Sequence, residues 1–212
     1  MCDGYNPMKR NRRGFTLVEL LVTVAMTVIL LAIAVPSFRE IILNNRQAIQ
    51  INELLGSLNL ARVEAVKRGL RTAVCKGSAA PGCETTTAGC CDTTSPTATN
   101  RNGWEQGWFV FVDTNEDSNL NNDAGDFLIQ RSDPLPEGTT LRGNTLVEDR
   151  VIFNGRGGSG SAGSLTLCDS REETEARGIV IQGSGRSRRA IDTDSPVDGI
   201  VDDGNNDNVD CP

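Results

Sequence analysis

Glu19 stands in an apolar run from residue 17 to residue 35 that is otherwise broken only by Thr23 and Thr27. A carboxylate inside such a span costs about 2.5–3.5 kcal/mol at mid-membrane, so it calls for a cationic partner and marks a function. A second chemical group is the basic cluster Gly185-Arg186-Ser187-Arg188-Arg189, with Arg177 nearby in sequence. Guanidinium groups at that density suit phosphate oxygens, with an affinity that falls as salt rises. Asp192, Asp194, Asp198, Asp202, Asp203, Asp207 and Asp210 follow with no basic residue among them. Those carboxylates could neutralise the arginines within the chain. The third group, Asp113-Thr114-Asn115-Glu116-Asp117-Ser118-Asn119, alternates oxygen ligands as a calcium loop does. Asp113, Asn115 and Asp117 are its candidate ligands, with Asp123 or Asp126 as substitutes. Ser118 replaces the glycine such loops carry at the sixth position, and Ala124 replaces the bidentate Glu at the twelfth. An Asx-rich turn is therefore the preferred reading, and no cofactor is expected. Residues 192–203 repeat the pattern with looser spacing and read as part of an acidic, disordered tail.

Seven cysteines occur in 212 residues, and histidine is absent. Cys2 precedes the apolar run; Cys75, Cys83, Cys90, Cys91, Cys168 and Cys211 form an even set after it. Without Cys-x-x-Cys pairs or histidine partners, disulfides in an oxidising compartment explain this set better than zinc does. Connectivity stays open at this point. Gly155-Arg156-Gly157-Gly158-Ser159-Gly160 has the glycine spacing of a dinucleotide loop but precedes a strand rather than a helix, and reads as a flexible loop. No nucleophile elbow, paired catalytic carboxylates or histidine-dependent site appears, which argues against an enzyme.

The elements that carry these groups follow from periodicity. Nineteen residues of helix reach about 28 Å, enough for a hydrocarbon core of about 30 Å. Lys9, Arg10, Arg12 and Arg13 lie just before the span, so the leader is cytoplasmic and the rest faces outward. Ala32-Ile33-Ala34 offers an ordinary signal-cleavage site within the same stretch, but that reading leaves Glu19 unexplained. Pro36 can kink or loosen the helix. Beyond it Ile41, Ala48, Ile51, Leu54, Leu55, Leu58, Ala61, Ala65 and Val66 make an apolar stripe, opposed by Asn44, Arg46, Gln50, Asn52 and Arg62. Lys67 and Arg68 suit the C-terminal end of the helix dipole and Gly69 its cap, giving one helix of about 54 residues and roughly 80 Å. Short strands are predicted at 71–75, 108–113, 127–131, 139–141, 151–153, 165–168, 178–182 and 186–191, as an antiparallel double-sheet head. The long loop 77–102 needs the cysteines to tie it.

Gly14-Phe15-Thr16-Leu17-Val18-Glu19-Leu20, after Lys/Arg and before a long apolar run, resembles the processing site of type IV pilins and pseudopilins. Gly107-Trp108-Phe109-Val110-Phe111-Val112-Asp113-Thr114-Asn115 is similar to a strand of the FimT/GspH-like minor pilins and pseudopilins, as are the segments at 151–153, 165–168 and 178–188. The resemblance implies an α+β fold, with a leader at 1–14, a transmembrane and assembly helix at 15–36, an amphipathic helix at 37–69, a β-rich head at 70–191 and an acidic tail at 192–212. It implies cleavage after Gly14 by a prepilin peptidase and methylation of Phe15. Glu19 would pair with the N-terminal amine of a neighbouring subunit, and the helix would melt near Pro36 in the filament. Cys168–Cys211 becomes the preferred bridge. The implied location is the bacterial inner membrane, single-pass with a periplasmic head, then a pilus or pseudopilus. Other pilins or pseudopilins and the peptidase are the implied partners. In family members linked to DNA uptake a Gly-Arg-x-Arg motif binds DNA, which makes Arg186, Arg188 and Arg189 candidate DNA contacts. The long cysteine-rich loop and the acidic tail depart from the family pattern.

Overall fold

The computed structural model describes residues 14–77, 103–118, 120, 125–194 and 196–211. Residues 1–13 of the leader, Cys83, Cys90, Cys91, Asn119, Asp123 and Ala124 lie outside them. Helix α1 (Leu17–Arg68) runs through Pro36 without a break, although the proline leaves the Ala32 carbonyl without its helical donor. The chain divides into two units, Met1–Asn44 and Asn45–Pro212.

In the first unit every residue from Gly14 to Ile42 is exposed. Leucine, valine and isoleucine cover its surface on all sides, as in a helix whose solvent is lipid or other apolar helices. Thr23 and Thr27 turn their hydroxyls onto the Leu20 and Thr23 carbonyls, at 2.8 and 2.7 Å, so neither presents a free donor.

In the second unit the remaining helical turns bury Gln47, Gln50, Ile51, Leu54, Ser57, Leu58, Ala61 and Ala65. That face differs from the stripe read by residue type. Gln50, assigned to the polar side, is buried, while Val66 is 53% exposed. Steps of three and four from residue 47 define the seam, and Val66 falls one residue off it. Geometry outranks polarity here: Gln47 Oε1 and Nε2 and Gln50 Oε1 are buried without a hydrogen-bond partner. The helix ends on Gly69, which adopts φ +67° and donates to the Ala65 carbonyl at 2.9 Å. This is the left-handed cap that glycine makes without strain.

Eight strands follow: β1 (Arg71–Lys76), β2 (Trp108–Asp113), β3 (Phe127–Arg131), β4 (Thr140–Gly143), β5 (Arg150–Phe153), β6 (Gly163–Cys168), β7 (Arg177–Ile181) and β8 (Ser187–Arg189). They form two antiparallel sheets, ordered β3-β2-β1-β5 and β4-β6-β7-β8. The core between them holds Leu54, Leu58 and Ala61 from the helix, Trp108, Val110 and Phe153 from the first sheet, and Leu165, Leu167 and Ile179 from the second. β2 alternates Trp108 and Val110 on this side with Phe109 and Phe111 on the other, yet all six of its residues are buried. Both faces of that strand are covered. Two buried polar side chains in the core are paired: Trp108 Nε1 donates to Ser57 Oγ at 2.9 Å, and Thr72 Oγ1 to the Ala61 carbonyl at 2.8 Å.

Two segments differ from expectation. The glycine loop 155–160 is pinned, not flexible. Asn154 Oδ1 accepts from Arg156 and Gly158 N–H, at 3.0 and 3.1 Å, and Arg62 donates to the Gly157 carbonyl at 2.9 Å. The acidic tail is folded rather than disordered. Its aspartates cap their own backbone, Val209 donates to the Val201 carbonyl at 3.1 Å, and Ile200, Val201 and Val209 pack with Cys168, Ala176 and Cys211.

Candidate functional site

The first site is the helix start. Thr16 Oγ1 accepts from the Glu19 N–H at 3.2 Å, and the Thr16 carbonyl accepts from Leu20 at 3.1 Å. Thr16 is thus an N-cap, and Thr-x-x-Glu forms the frame of a capping box. This role of Thr16 was missed from sequence, although the pattern is visible there. The cap places Glu19 in the first turn, beside the positive end of the helix dipole. Gly14 and Phe15 precede the helix, with Phe15 75% exposed and a side chain at Gly14 meeting nothing within 4 Å. Steric demand in this chain therefore does not require glycine at 14.

The arginine cluster sits at the edge of the second sheet. β8 pairs with β7, with Ile179 opposite Arg189 and Ile181 opposite Ser187. Gly185 starts this hairpin at φ +77°, and a Cβ there would collide with the Gly157 carbonyl. The glycine is fixed by packing, since Arg62 also donates to the Ser184 carbonyl at 3.1 Å. Arg188 Nη1 reaches the Arg189 carbonyl at 3.3 Å, and Arg189 Nη2 donates to Asn52 Oδ1. Among the described residues, no ion pair joins Arg186, Arg188 or Arg189 to a carboxylate. The expected neutralisation by the tail through ion pairs is not what holds this cluster.

The acidic loop after β2 is organised by strand register. Arg71 lies opposite Asp113 in the β1–β2 ladder, and its Nε sits 3.0 Å from Asp113 Oδ2. That oxygen also accepts from the Ser118 N–H at 3.0 Å. Asn115 Oδ1 accepts from Asp117 N–H at 3.2 Å, and Asp126 Oδ1 from Thr114 N–H at 2.6 Å. Asp113, Asp117 and Asp126 can bring one oxygen each within 4.8 Å of the others. Asn115 instead donates to Asp117 Oδ2 at 2.8 Å. Burial raises the Asp113 carboxyl above its usual range, although the Arg71 charge pulls it down. The guanidinium already supplies positive charge to this cluster.

The C-terminal segment carries a second acidic cluster and the Cys168–Cys211 disulfide, whose Cα atoms are 5.9 Å apart. Cys75 is also disulfide-bonded. Beside the bridge, Asp169 is gripped by Arg171, with Nη2 2.7 Å from Oδ2 and Nε 3.0 Å from Oδ1. Burial opposes ionisation of Asp169, but these hydrogen bonds prevail and hold its carboxyl below the usual range. Asp194 is shifted the other way, raised by desolvation and by the carboxylates of Asp202, Asp198 and Asp192.

Comparison with known proteins places these features. Residues 9–35 match the family model for the prokaryotic N-terminal methylation motif, and residues 50–185 that for the type II transport protein GspH. No curated protein matches the chain. Two crystal forms of the type IV minor pilin FimU from Pseudomonas aeruginosa strain PAO1 are similar in structure. The P21 form is 17% identical, covers 68% of this chain and 87% of its own, and has a TM-score of 0.47. The P65 form is 16% identical, covers 65% and 87%, and has a TM-score of 0.44. With the match at 50–185 spanning well over half of its length and the methylation motif preceding it, the chain belongs to the GspH family of minor pilins and pseudopilins, structural subunits that prepilin peptidase processes and that join other pilins in a filament.

Proposed function

We propose that this subunit sits at or near the tip of a type IV pilus, where it helps initiate assembly and presents its head. The carrying observation is Glu19 in the first turn of a helix that is exposed as far as residue 42 and, apart from Thr23, Thr27 and Glu19 itself, apolar as far as residue 35. Before incorporation that helix crosses the bacterial inner membrane once, with the head in the periplasm, as the basic leader favours. Cutting after Gly14 creates an amine on Phe15, and methylation leaves it cationic. In the apolar filament interior, Glu19 of one subunit meets the amine of another, and the pairing sets axial register. The subunit carries no catalysis. Its long cysteine-rich loop and folded C-terminal segment favour display on a pilus over a secretion pseudopilus, and the neighbouring genes discriminate the two. Mass spectrometry of the mature chain tests the processing step: an N-terminus of methylated Phe15 is expected. An uncut chain, or one starting at Val35, sinks the reading.

A second reading adds DNA capture. It is favoured by the absence, among the described residues, of any ion pair between a carboxylate and Arg186, Arg188 or Arg189. Gel shifts at rising salt are expected to weaken with a slope near −0.9 per phosphate contact, or about −3 for three arginines. Alanine at all three positions should remove the shift. The reading fails if the unmodified chain gives no salt-sensitive shift at low ionic strength.

A further inference from the structure

Asp192, Asp194 and Asp202 can each place one carboxylate oxygen within 4.8 Å of the others. Asp202 is 2% exposed. Its Oδ2 accepts from the Thr193 N–H at 2.6 Å and from the Thr193 hydroxyl, whereas Oδ1 is buried with no hydrogen-bond partner. Asp192 spends its oxygens on the backbone, taking Asp194 N–H at 3.0 Å and Gly199 N–H at 2.7 Å. Those bonds bend the chain so that the three carboxylates converge. The Asp194 carboxylate accepts no hydrogen bond among the described residues.

A buried carboxylate oxygen without a donor is costly, and three converging carboxylates repel one another. At the loop after β2 the Arg71 guanidinium, 3.0 Å from Asp113, supplies compensating charge, although Asp113 Oδ1 is itself buried without a hydrogen-bond partner. The C-terminal segment has no such residue: no lysine or arginine occurs after Arg189. Among the described residues no ion pair joins Asp192, Asp194 or Asp202 to a lysine or arginine, so a bound cation would supply the charge this cluster lacks. We propose that Asp192, Asp194 and Asp202 form a calcium site that closes the loop from 192 to 202 within the C-terminal segment. All-oxygen donors select a hard cation. Calcium's flexible shell accommodates carboxylates held by an irregular loop, whereas magnesium demands a near-ideal octahedron and keeps most of its waters. Backbone carbonyls and water complete the shell of six to eight oxygens that calcium takes. The loop lies on the same segment as Cys211, so ion and disulfide constrain different parts of it.

The test uses the full chain in detergent, stripped with chelator and titrated with calcium chloride by calorimetry. One ion per chain is expected, with a Kd of roughly 10⁻⁴–10⁻³ M, the range of extracellular modules. Calcium should also protect residues 192–202 from protease. Asp194→Asn should weaken binding at least about tenfold, because it lowers the ligand charge. Since the Asp194 carboxylate accepts no hydrogen bond among the described residues, this variant keeps the fold, which circular dichroism verifies. Asp117→Asn should leave binding unchanged. No binding up to about 10 mM calcium, well above that range, overturns the proposal. So does binding that survives Asp194→Asn or is lost in Asp117→Asn, which would move the ion elsewhere.

Discussion

Glu19→Ala should leave membrane insertion intact while lowering filament incorporation by two orders of magnitude or more. Insertion follows apolar surface, and removing a carboxylate from the span eases it, by up to about 2.5–3.5 kcal/mol at full depth. Incorporation loses the partner of the neighbour's amine, and stripping one member from a buried ion pair costs about 3–5 kcal/mol because the other charge stays buried alone. A cap role for Glu19 competes with this account, because Glu19 is the third residue of a helix capped by Thr16. Glu19→Gln separates the two. Glutamine serves a capping box nearly as well as glutamate, but it carries no charge. The glutamine variant should therefore fail in assembly as fully as the alanine variant. Immunoblots of sheared filaments against membrane fractions measure both, and recovery of incorporation by glutamine would refute the charge pairing.

How far the sequence could be read depended on what kind of interaction fixed each element. Strands such as 108–113 were legible because a short aromatic and β-branched run bounded by turn residues is a local signal. The helix ended where predicted because Gly69 carries its own backbone preference. Its buried face was less legible: Gln47 and Gln50 face inward because Ile51, Leu54 and Leu58 fix the rotation of the helix, and a polar neighbour on that seam is carried in with them. The acidic loop could not be ranked without strand register, since nothing local places Arg71 against Asp113 across 42 positions of chain. The C-terminal segment was misread for a related reason. Its few apolar residues looked too sparse to fold, yet Asp192, Asp198 and Asp203 each bond the N–H two residues on. Repeated Asx turns of that kind shape the backbone and bring the segment's few apolar residues, Ile200, Val201 and Val209, onto one small cluster. Spaced aspartates were the available signal, read as charge alone.

Removing the Cys168–Cys211 bridge should destabilise the whole head, not merely fray its end. The two cysteines are 43 residues apart in sequence, and chain-entropy scaling for such a loop gives about 4 kcal/mol at 25 °C. The loop also encloses β7 and β8, half of the second sheet, so the unfolded state gains freedom in strands that contribute Ile179 and Ile181 to the main core. Alanine is the proper replacement: Cys168 is 3% exposed, and serine would bury a hydroxyl. Urea unfolding should show Cys168→Ala, Cys211→Ala and the double variant with equal losses, because either change removes the same covalent bond. Reduction of the unmodified chain is a poorer test, since it also opens the bridge at Cys75. An unchanged midpoint in the single variants, with only the last residues newly open to protease, would mean that the segment unfolds on its own. The bridge would then fasten a local flap, and the entropy of the strands it encloses would not enter the stability of the head.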